Sequence, residues 1–280
     1  MEVIVITGVT SGFGVNWLHE LDKSKNAVLI ILGRDEEKFN YQMMKQPLGN
    51  KTHFIKCDLD SIASINNAVD SIKKLTDSVD ILINNAGVWS KDNICISKDN
   101  IELTFAVNQL APYLLTGQLL PLLKNTKHAR IINTASFRYQ DAKIDFTDIE
   151  LRANFDAETA YCNSKLFSIL FTKKLARMLN ETQVSVCCFD PGIVDTPMLR
   201  QAFPKSLNLI FPLFKRFIAK TPAQGAATGV WLSNTSFSNL LSGGYYKNET
   251  IKKVSKLAKD NSVAEWLWNE SERLTGFHYA

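Results

Sequence analysis

"VIVITGVTSGFG" (Val3–Gly14) joins a short apolar run to a glycine-rich turn and to the start of a helical pattern. The unbroken apolar character of Val3–Thr7 predicts a strand buried on both faces, because a half-exposed strand alternates apolar and polar residues. Gly8, Gly12 and Gly14 permit a tight turn and let backbone N–H groups approach a ligand without an intervening Cβ atom. The following helix offers unpaired N–H groups and the positive end of its dipole, which favours binding of a pyrophosphate. The spacing is G-x-x-x-G-x-G rather than G-x-G-x-x-G, so the glycines alone are also compatible with a plain strand-to-helix turn.

The rest of the chain alternates short β-branched runs with longer helical patterns. Further strands are predicted at Ala27–Leu32, His53–Leu59, Val79–Ala86, Ala129–Ser136, Val184–Gly192 and, at the sheet edge, Gly243–Tyr246. Helices are predicted near Gly14–Asp22, Glu36–Lys45, Ser61–Lys74, Ile101–Leu123 and Thr159–Asn180. Strands that alternate with helices predict an α/β fold, with a doubly wound parallel sheet of about seven strands and helices on both faces. Without a visible linker or repeat, 280 residues are most simply one domain over 1–280.

The composition excludes several classes of protein. It is 45% hydrophobic and 21% charged, which is ordinary globular usage, and the net charge of +4 is spread without a basic block, so nucleic-acid binding is not indicated. Five cysteines without a C-x-x-C pair argue against a disulfide framework and for a reducing compartment. The four histidines are too scattered for a metal site. With no signal peptide and no run of ~18–20 apolar residues, we expect a cytoplasmic protein, with peripheral membrane contact left open.

"TAYCNSKLFSIL" (Thr159–Leu170) contains the most informative pair of side chains. Tyr161 and Lys165 are four residues apart, so a helix presents both on one face. By itself this spacing is most often a solvated helix surface. The rest of the chain decides between that interpretation and a catalytic one.

The sequence resembles the short-chain dehydrogenase/reductase family over nearly its whole length, and most closely its retinol dehydrogenase-like branch. Six family motifs occur in order: "TGVTSGFG" (Thr7–Gly14), "NNAG" (Asn84–Gly87), Asn108, Ser136, "YCNSK" (Tyr161–Lys165) and "PGIVDT" (Pro191–Thr196). The closer likeness lies in "YCNSKLFSILFTKKLARML", "KTPAQGAATGVWL" and "LWNESERLTGF". The resemblance implies a Rossmann-type fold and an oxidoreductase that interconverts an alcohol and a carbonyl compound. We expect no hydrophobic N-terminal anchor of the kind that many vertebrate members carry.

The resemblance also implies a role for each residue of a catalytic set. Tyr161 is the general acid/base, and the physics agrees, because a nearby ammonium and an oxidised nicotinamide both favour phenolate over a phenol of pKa ≈ 10. Lys165 supplies that ammonium and binds the ribose hydroxyls of the cofactor. Ser136 holds the substrate oxygen. Asn108 holds a water that links Lys165 to solvent; alone, it would read as a buried amide that satisfies backbone groups.

Two other functional classes use residues of the same kinds. A hydrolase with Ser136 as nucleophile lacks a G-x-S-x-G elbow and a suitable His and Asp pattern. A catalytically silent NAD(P)-sensing module of the same fold stays an alternative, although such proteins usually lack the tyrosine or the lysine.

The choice of cofactor depends on the residues after the second strand. An acid there would bind the ribose 2′-OH of NAD, whereas an arginine would pair with the 2′-phosphate of NADP. The resemblance places Gly33 where NAD-preferring members carry an acid and Arg34 where NADP-preferring members carry a base; the neighbouring Asp35 leaves NAD(H) possible. We therefore expect NADP(H). The other predicted cofactor contacts are Gly8, Thr10, Ser11, Gly12, Phe13, Gly14, Asp58, Leu59, Asn85, Ala86, Gly87, Tyr161, Lys165, Pro191, Gly192, Val194 and Thr196.

Two segments are expected to shape the substrate cleft. Residues 137–160 form one wall, and Pro197–Lys220 forms a substrate lid. The lid is rich in Leu, Ile and Phe, carries five cations and no acid, and is interrupted by Pro204 and Pro212. It is either a helix packed on the core or a mobile apolar flap that admits a lipophilic aldehyde or ketone and touches an anionic membrane. By analogy with the family, a homodimer is also possible.

Overall fold

A computed structural model describes residues 1–90, 93–202 and 211–279, without the side chains of Ala202, Pro212 and Phe214. The strands are β1 (Glu2–Thr7), β2 (Ala27–Gly33), β3 (Lys51–Lys56), β4 (Ile81–Asn84), β5 (Ala129–Thr134), β6 (Val184–Asp190), β7 (Tyr245–Lys247) and β8 (Thr250–Ile251). The helices are α1 (Phe13–Ser24), α2 (Glu36–Lys45), α3 (Ile62–Leu75), α4 (Leu103–Phe105), α5 (Ala111–Lys124), α6 (Ala157–Met178), α7 (Pro197–Ala202), α8 (Phe211–Ile218), α9 (Pro222–Asn234) and α10 (Asn261–Thr275). A π-helical segment, Ala106–Leu110, joins α4 to α5.

All eight strands form one sheet in the order β3-β2-β1-β4-β5-β6-β7-β8. The pairs from β3 to β7 are parallel, and only β7 and β8 are antiparallel. The predicted doubly wound sheet is therefore confirmed, with one strand more than the seven expected. The strand order reverses between β1 and β4, and open α/β sheets bind ligands at the carboxyl end of such a switch point.

Both faces of the sheet are covered. Along β1, Val3 and Val5 pack in one core cluster while Ile4 and Ile6 pack in another. The first cluster includes residues of α3, α5 and α6, and the second includes residues of α1 and α9. Since successive strand side chains point to opposite faces, a continuous apolar run is what a sheet between two helix layers requires.

Several predicted strands extend too far at their carboxyl ends. β3 ends at Lys56, β4 at Asn84, β5 at Thr134 and β6 at Asp190, whereas the predictions ran on to Leu59, Ala86, Ser136 and Gly192. At these ends the chain leaves the sheet to form loops on one edge. The misplaced residues are those that line the cleft described below.

The helix predicted at Ile101–Leu123 is not regular. Its middle, Ala106–Leu110, is π-helical, and Asn108 lies in that segment. Single π-turns inside helices are frequent at functional sites. The predictions also omitted α9 and α10, whose residues complete the core around the sheet.

Helix α10 leads into a C-terminal tail that packs on α5. The Tyr113 hydroxyl donates to the Phe277 carbonyl at 3.0 Å, and the Tyr279 hydroxyl donates to the Tyr113 carbonyl at 2.7 Å. A Cβ atom at Gly117 would lie 2.2 Å from the Phe277 ring, so glycine is needed where the tail crosses the helix. No helix in the described ranges is long and apolar enough to span a bilayer.

Candidate active site

A cleft of about 610 Å³ opens at the carboxyl ends of β1, β4, β5 and β6. It brings together most of the residues singled out from the sequence: Gly8, Thr10, Ser11, Gly12, Phe13, Gly14, Arg34, Asp58, Leu59, Asn85, Ala86, Gly87, Ser136, Tyr161, Lys165, Pro191, Gly192, Val194 and Thr196. Asn108 lies beside it, on a small adjoining cavity. Residues far apart in sequence thus converge at the topological switch point.

The glycine loop is built for close backbone approach. Gly8 has φ +74°, and a Cβ atom there would lie 2.6 Å from the Cα atom of Ala86. A Cβ atom on Gly14 would lie 2.2 Å from the Gly8 carbonyl oxygen. Helix α1 begins directly after the loop, and Gly12 at its N-cap provides no side-chain cap. The first-turn N–H groups and the helix dipole therefore suit a pyrophosphate, so these residues fit a dinucleotide cofactor.

The "NNAG" loop after β4 is tied to both neighbouring strands. The Thr7 hydroxyl accepts from the N–H groups of Asn85 and Ala86, both at 3.0 Å. The Asn85 side chain donates to the Gly8 carbonyl at 2.9 Å and accepts from the Thr134 hydroxyl at 3.2 Å. The floor of the cleft is consequently rigid and holds the glycine loop in position.

Tyr161 and Lys165 share the face of α6 that borders the cleft, as predicted. The Lys165 Nζ atom lies 5.5 Å from the centroid of the Tyr161 ring and donates to the Thr134 carbonyl at 3.1 Å. Lys165 is buried, and this burial lowers the pKa of its ammonium to about 8. A lysine so placed keeps its charge at neutral pH and loses it readily above that range.

Burial is the main influence on the pKa of Tyr161. Burial raises the pKa of this phenol to about 12; a hydrogen bond from Ser136 lowers it, and the charge of Asp190 raises it. Removal from water outweighs the favourable polar groups of the chain, and the effect of an oxidised nicotinamide on this phenol stays a prediction. The phenol therefore stays protonated at neutral pH and is able to donate a proton.

Ser136 lies just beyond β5 and faces the phenol. Its hydroxyl accepts from the Arg138 N–H group at 3.3 Å, which begins the 3₁₀ turn Phe137–Asp141, and it is close enough to the Tyr161 phenol to lower the pKa of that group. The side chain is buried. A hydroxyl held in this way can meet the same substrate oxygen as the phenol.

Asn108 fixes the loop after "NNAG". Its Oδ1 atom accepts from the Val88 N–H group at 2.8 Å, and its Nδ2 atom donates to the Val88 carbonyl at 2.9 Å and to the Ser164 hydroxyl at 3.0 Å. The amide thus satisfies backbone groups, as the simpler interpretation expected. The adjoining cavity of about 10 Å³, lined by Asn108, Gln109 and Thr134, has room for about one water. The water relay itself stays a prediction.

Trp89 is a cleft residue that the sequence interpretation missed. Its indole stacks on the Tyr161 ring, with the centroids 4.8 Å apart and the planes 12° from parallel. It covers one face of the phenol and lines the cleft. Its place two residues after the "NNAG" motif was the available signal, but the stacking partner is far away in sequence.

A cluster of charges surrounds Asp58 at the other end of the cleft. The Arg34 Nε atom lies 3.9 Å from Asp58 Oδ1, while the Lys98 Nζ atom lies 2.5 Å from Asp58 Oδ2. Asp35, the acid beside Arg34, caps α2 by accepting from the Lys38 N–H group at 2.8 Å. Sequence interpretation identified Arg34 and Asp58 but missed Lys98.

A buried carboxylate holds the "PGIVDT" loop. Asp190 has no exposed surface, accepts from the Gly192 N–H group at 2.8 Å and pairs with Lys247, whose Nζ atom lies 2.9 Å from Asp190 Oδ2. Gly192 has φ +83°, and Val194 forms a parallel bridge with Lys220. The loop after β6 is thereby fixed at one end of the cleft.

The predicted lid is described only in part. Pro204, with the rest of 203–210, lies outside the described residues, and Pro212 lies in the first turn of α8. In α8, Leu213 and Phe217 are 61% and 74% exposed. Phe211, in contrast, is buried, and both interpretations of this segment stay predictions. Lys215 pairs with Asp195 at 2.5 Å.

Comparison with known proteins agrees with this geometry. A family model described as short chain dehydrogenase matches residues 2–206. Retinol dehydrogenase 12 of Homo sapiens is 33% identical over 285 residues, which cover 99% of this chain and 87% of the relative. Retinol dehydrogenase 13 of Mus musculus is 32% identical over 289 residues, which cover 100% of this chain and 85% of the relative.

Solved structures share the fold. An uncharacterised protein from Mycobacterium paratuberculosis superposes with a TM-score of 0.81 at 24% identity, covering 100% of this chain and 95% of that one. A 3-ketoacyl-(acyl-carrier-protein) reductase from Brucella melitensis, complexed with NADH, gives 0.68 at 23% identity and covers 87% and 95%. The Pseudomonas aeruginosa RhlG/NADP active-site complex gives 0.69 at 23% identity and covers 87% and 93%.

Proposed function

Because this chain belongs to the short-chain dehydrogenase family, we propose that it is an NADP(H)-dependent oxidoreductase that interconverts an alcohol and an aldehyde or ketone. The observation that carries the proposal is the convergence of Tyr161, Lys165 and Ser136 on one face of the cleft. Its resemblance to retinol dehydrogenases, and the NADH and NADP bound in solved structures of the same fold, support the same class of reaction.

The bound dinucleotide would supply or accept the hydride, and the chain would move the proton. In the reducing direction Tyr161 gives its phenolic proton to the substrate oxygen, on which negative charge develops. Ser136 donates a hydrogen bond to the same oxygen, which stabilises that charge. The Lys165 ammonium then favours the phenolate that Tyr161 has become. In the oxidising direction the phenolate removes the proton from the alcohol.

Preference for NADP(H) rests on Arg34. Its side chain lines the cleft and is 67% exposed, so the guanidinium is accessible to a 2′-phosphate. Asp35, which could have bound a ribose 2′-OH instead, is engaged in capping α2. Both observations favour a positive over a negative contact at the ribose.

A lipophilic substrate is proposed from the lining of the cleft near Tyr161. This lining combines the stacked indole of Trp89 with the apolar side chains Leu103, Val107, Phe137, Ile193, Met198 and Leu199. Apolar walls with a few polar groups at the reacting centre are typical of sites for apolar ligands. The retinol dehydrogenase names of the relatives point to the same class.

Contact with a membrane surface is proposed for α8. Leu213, Phe217 and Ile218 are exposed there beside Lys215 and Arg216, which is the pattern of a short interfacial helix. Co-sedimentation with anionic and neutral vesicles tests it, and equal binding of a Phe217→Ser variant would contradict it. The homodimer remains a prediction by analogy.

The deciding experiment is an assay of a panel of carbonyl compounds with NADPH and with NADH, followed by loss of cofactor absorbance. We expect turnover of at least one apolar aldehyde or ketone, faster with NADPH. Tight cofactor binding without turnover of any compound would favour the silent NAD(P)-sensing module instead.

A further inference from the structure

We propose that Lys98 strengthens the preference for NADP(H) by pairing with Asp58 and Asp60, so that Arg34 remains available for the 2′-phosphate. This inference rests on the proposed function and extends it to a residue outside the family motifs recognised in the sequence. It assigns Lys98 a positioning role, because its partners are carboxylates rather than the cofactor.

The geometry places one cation between two acids. The Lys98 Nζ atom lies 2.5 Å from Asp58 Oδ2 and 3.2 Å from Asp60 Oδ1. The Lys98 N–H group donates to the Asp60 carbonyl at 3.1 Å, and the Ile62 N–H group donates to the Asp99 carboxylate at 2.6 Å. The loop that carries Lys98 is therefore pinned to the start of α3, and the lysine is held where it stands.

Arg34 is not captured by the same carboxylate. Its Nε atom is 3.9 Å from Asp58 Oδ1, which is beyond hydrogen-bonding distance. The other oxygen of Asp58 already bonds Lys98. With the carboxylate satisfied on one side, the guanidinium is only weakly attracted and can turn toward a phosphate.

Asp58 needs such a counterion because it is charged. Its burial works to raise the pKa of the carboxyl, but the hydrogen bond and charge of Lys98, aided by Arg34, hold that pKa below its ordinary value. A phosphate brings about −1.5 to −2 charges near this carboxylate. Without Lys98, the Asp58 carboxylate would have Arg34 as its nearest cation, would repel the phosphate and would draw Arg34 toward itself.

The effect is expected to be modest. Lys98 and Arg34 are 59% and 67% exposed, and exposed pairs are screened by water and salt. Loss of Lys98 should therefore weaken NADPH binding about threefold to fivefold. NADH, which lacks the 2′-phosphate, should be affected less than about twofold.

The test is a titration of intact protein with NADPH and with NADH, followed by cofactor fluorescence, for Lys98→Met and Lys98→Arg. Lys74→Met is the matched control, because it removes the same charge near the far end of α3, about 18 Å along the helix. We expect Lys98→Met alone to lose NADPH affinity selectively, and the loss to shrink at high salt. Replacing Asp58 by Asn in the Lys98→Met protein should restore NADPH affinity relative to NADH.

Two results would overturn the inference. Equal weakening of both cofactors would show that Lys98 only supports the adenosine pocket or the loop, and thermal melting of each variant would reveal a folding defect. Unchanged affinities would show that Lys98 has no influence. Failure of the proposed function looks different, because the wild-type protein would then bind neither cofactor or turn over no carbonyl compound.

Discussion

The titratable and charged side chains at the two ends of the cleft differ in their exposure to water. At the proposed catalytic end, Lys165 is buried and Tyr161 is half-buried, and burial is the main cause that lowers the pKa of Lys165 to about 8 and raises that of Tyr161 to about 12. At the end around Asp58, where we propose that the 2′-phosphate binds, Arg34 and Lys98 are mostly exposed, and their interactions are attenuated by solvent. Chemistry requires groups whose protonation is poised, whereas recognition of a phosphate requires cations that stay charged and accessible. The predictions below test this contrast.

The largest effect is expected for Tyr161→Phe. Removal of the hydroxyl abolishes proton transfer, so turnover should fall about 10²- to 10⁴-fold. The affinity for NADPH should change little, because the ring and Lys165 remain. Steady-state kinetics on a well-reduced aldehyde, together with cofactor titration, measures both. If the variant kept the kcat of the wild type, Tyr161 would not be the general acid/base.

Lys165→Met should inactivate the protein and yet stabilise it. The folded-state pKa of about 8 lies below the ordinary 10.5, so burying the ammonium costs roughly 3 kcal/mol at neutral pH. The cost is fully present below pH 8 and disappears as the pH rises through 10.5, where both states carry a neutral amine. Wild-type stability should therefore rise between those values, and the advantage of the variant should vanish. Urea unfolding of both proteins at pH 7 and above pH 10 measures the difference in their free energies of unfolding. A difference that does not depend on pH would contradict the low pKa of Lys165.

Arg34→Ala tests the exposed end. A charge-assisted contact to phosphate is worth about 1.5–3 kcal/mol, so KM for NADPH should rise roughly tenfold to a hundredfold. KM for NADH should change far less. Arg34→Lys is the matched control, since it keeps the charge and loses the guanidinium fork. An equal rise in KM for both cofactors would show that Arg34 does not bind the 2′-phosphate, and would favour NAD(H) as the cofactor.

The smallest effect is expected for each carbon added to the substrate. Each buried methylene adds about 0.8 kcal/mol, so kcat/KM should rise about fourfold per carbon along a straight-chain aldehyde series until the cleft is full. Trp89→Ala opens the cleft beside Tyr161 and should move that limit to longer chains, whereas Trp89→Phe should keep it. A flat series in the wild type would indicate a small polar carbonyl instead.

Much of the fold could be predicted from local patterns in the sequence. The apolar run of β1, the glycines that follow it and the i, i+4 spacing of Tyr161 and Lys165 each describe neighbours along one element. These signals were enough for the parallel doubly wound sheet, and the resemblance to the family then indicated most of the other predicted residues that line the cleft. They were also enough for the family, because its motifs occur in a set order.

The tertiary structure decided what depends on contacts between distant segments. Trp89 stacks on Tyr161, and Lys98 pairs with Asp58, only because crossovers bring separate loops to one edge of the sheet. The rise that burial causes in the pKa of Tyr161 could not be predicted, because a sequence shows which charges are near but not how much water is removed. The spacing of residues along a helix is a local property, so it can be predicted from the sequence. Burial and pairing between loops depend on the positions of all the elements, so they are defined only in the folded structure.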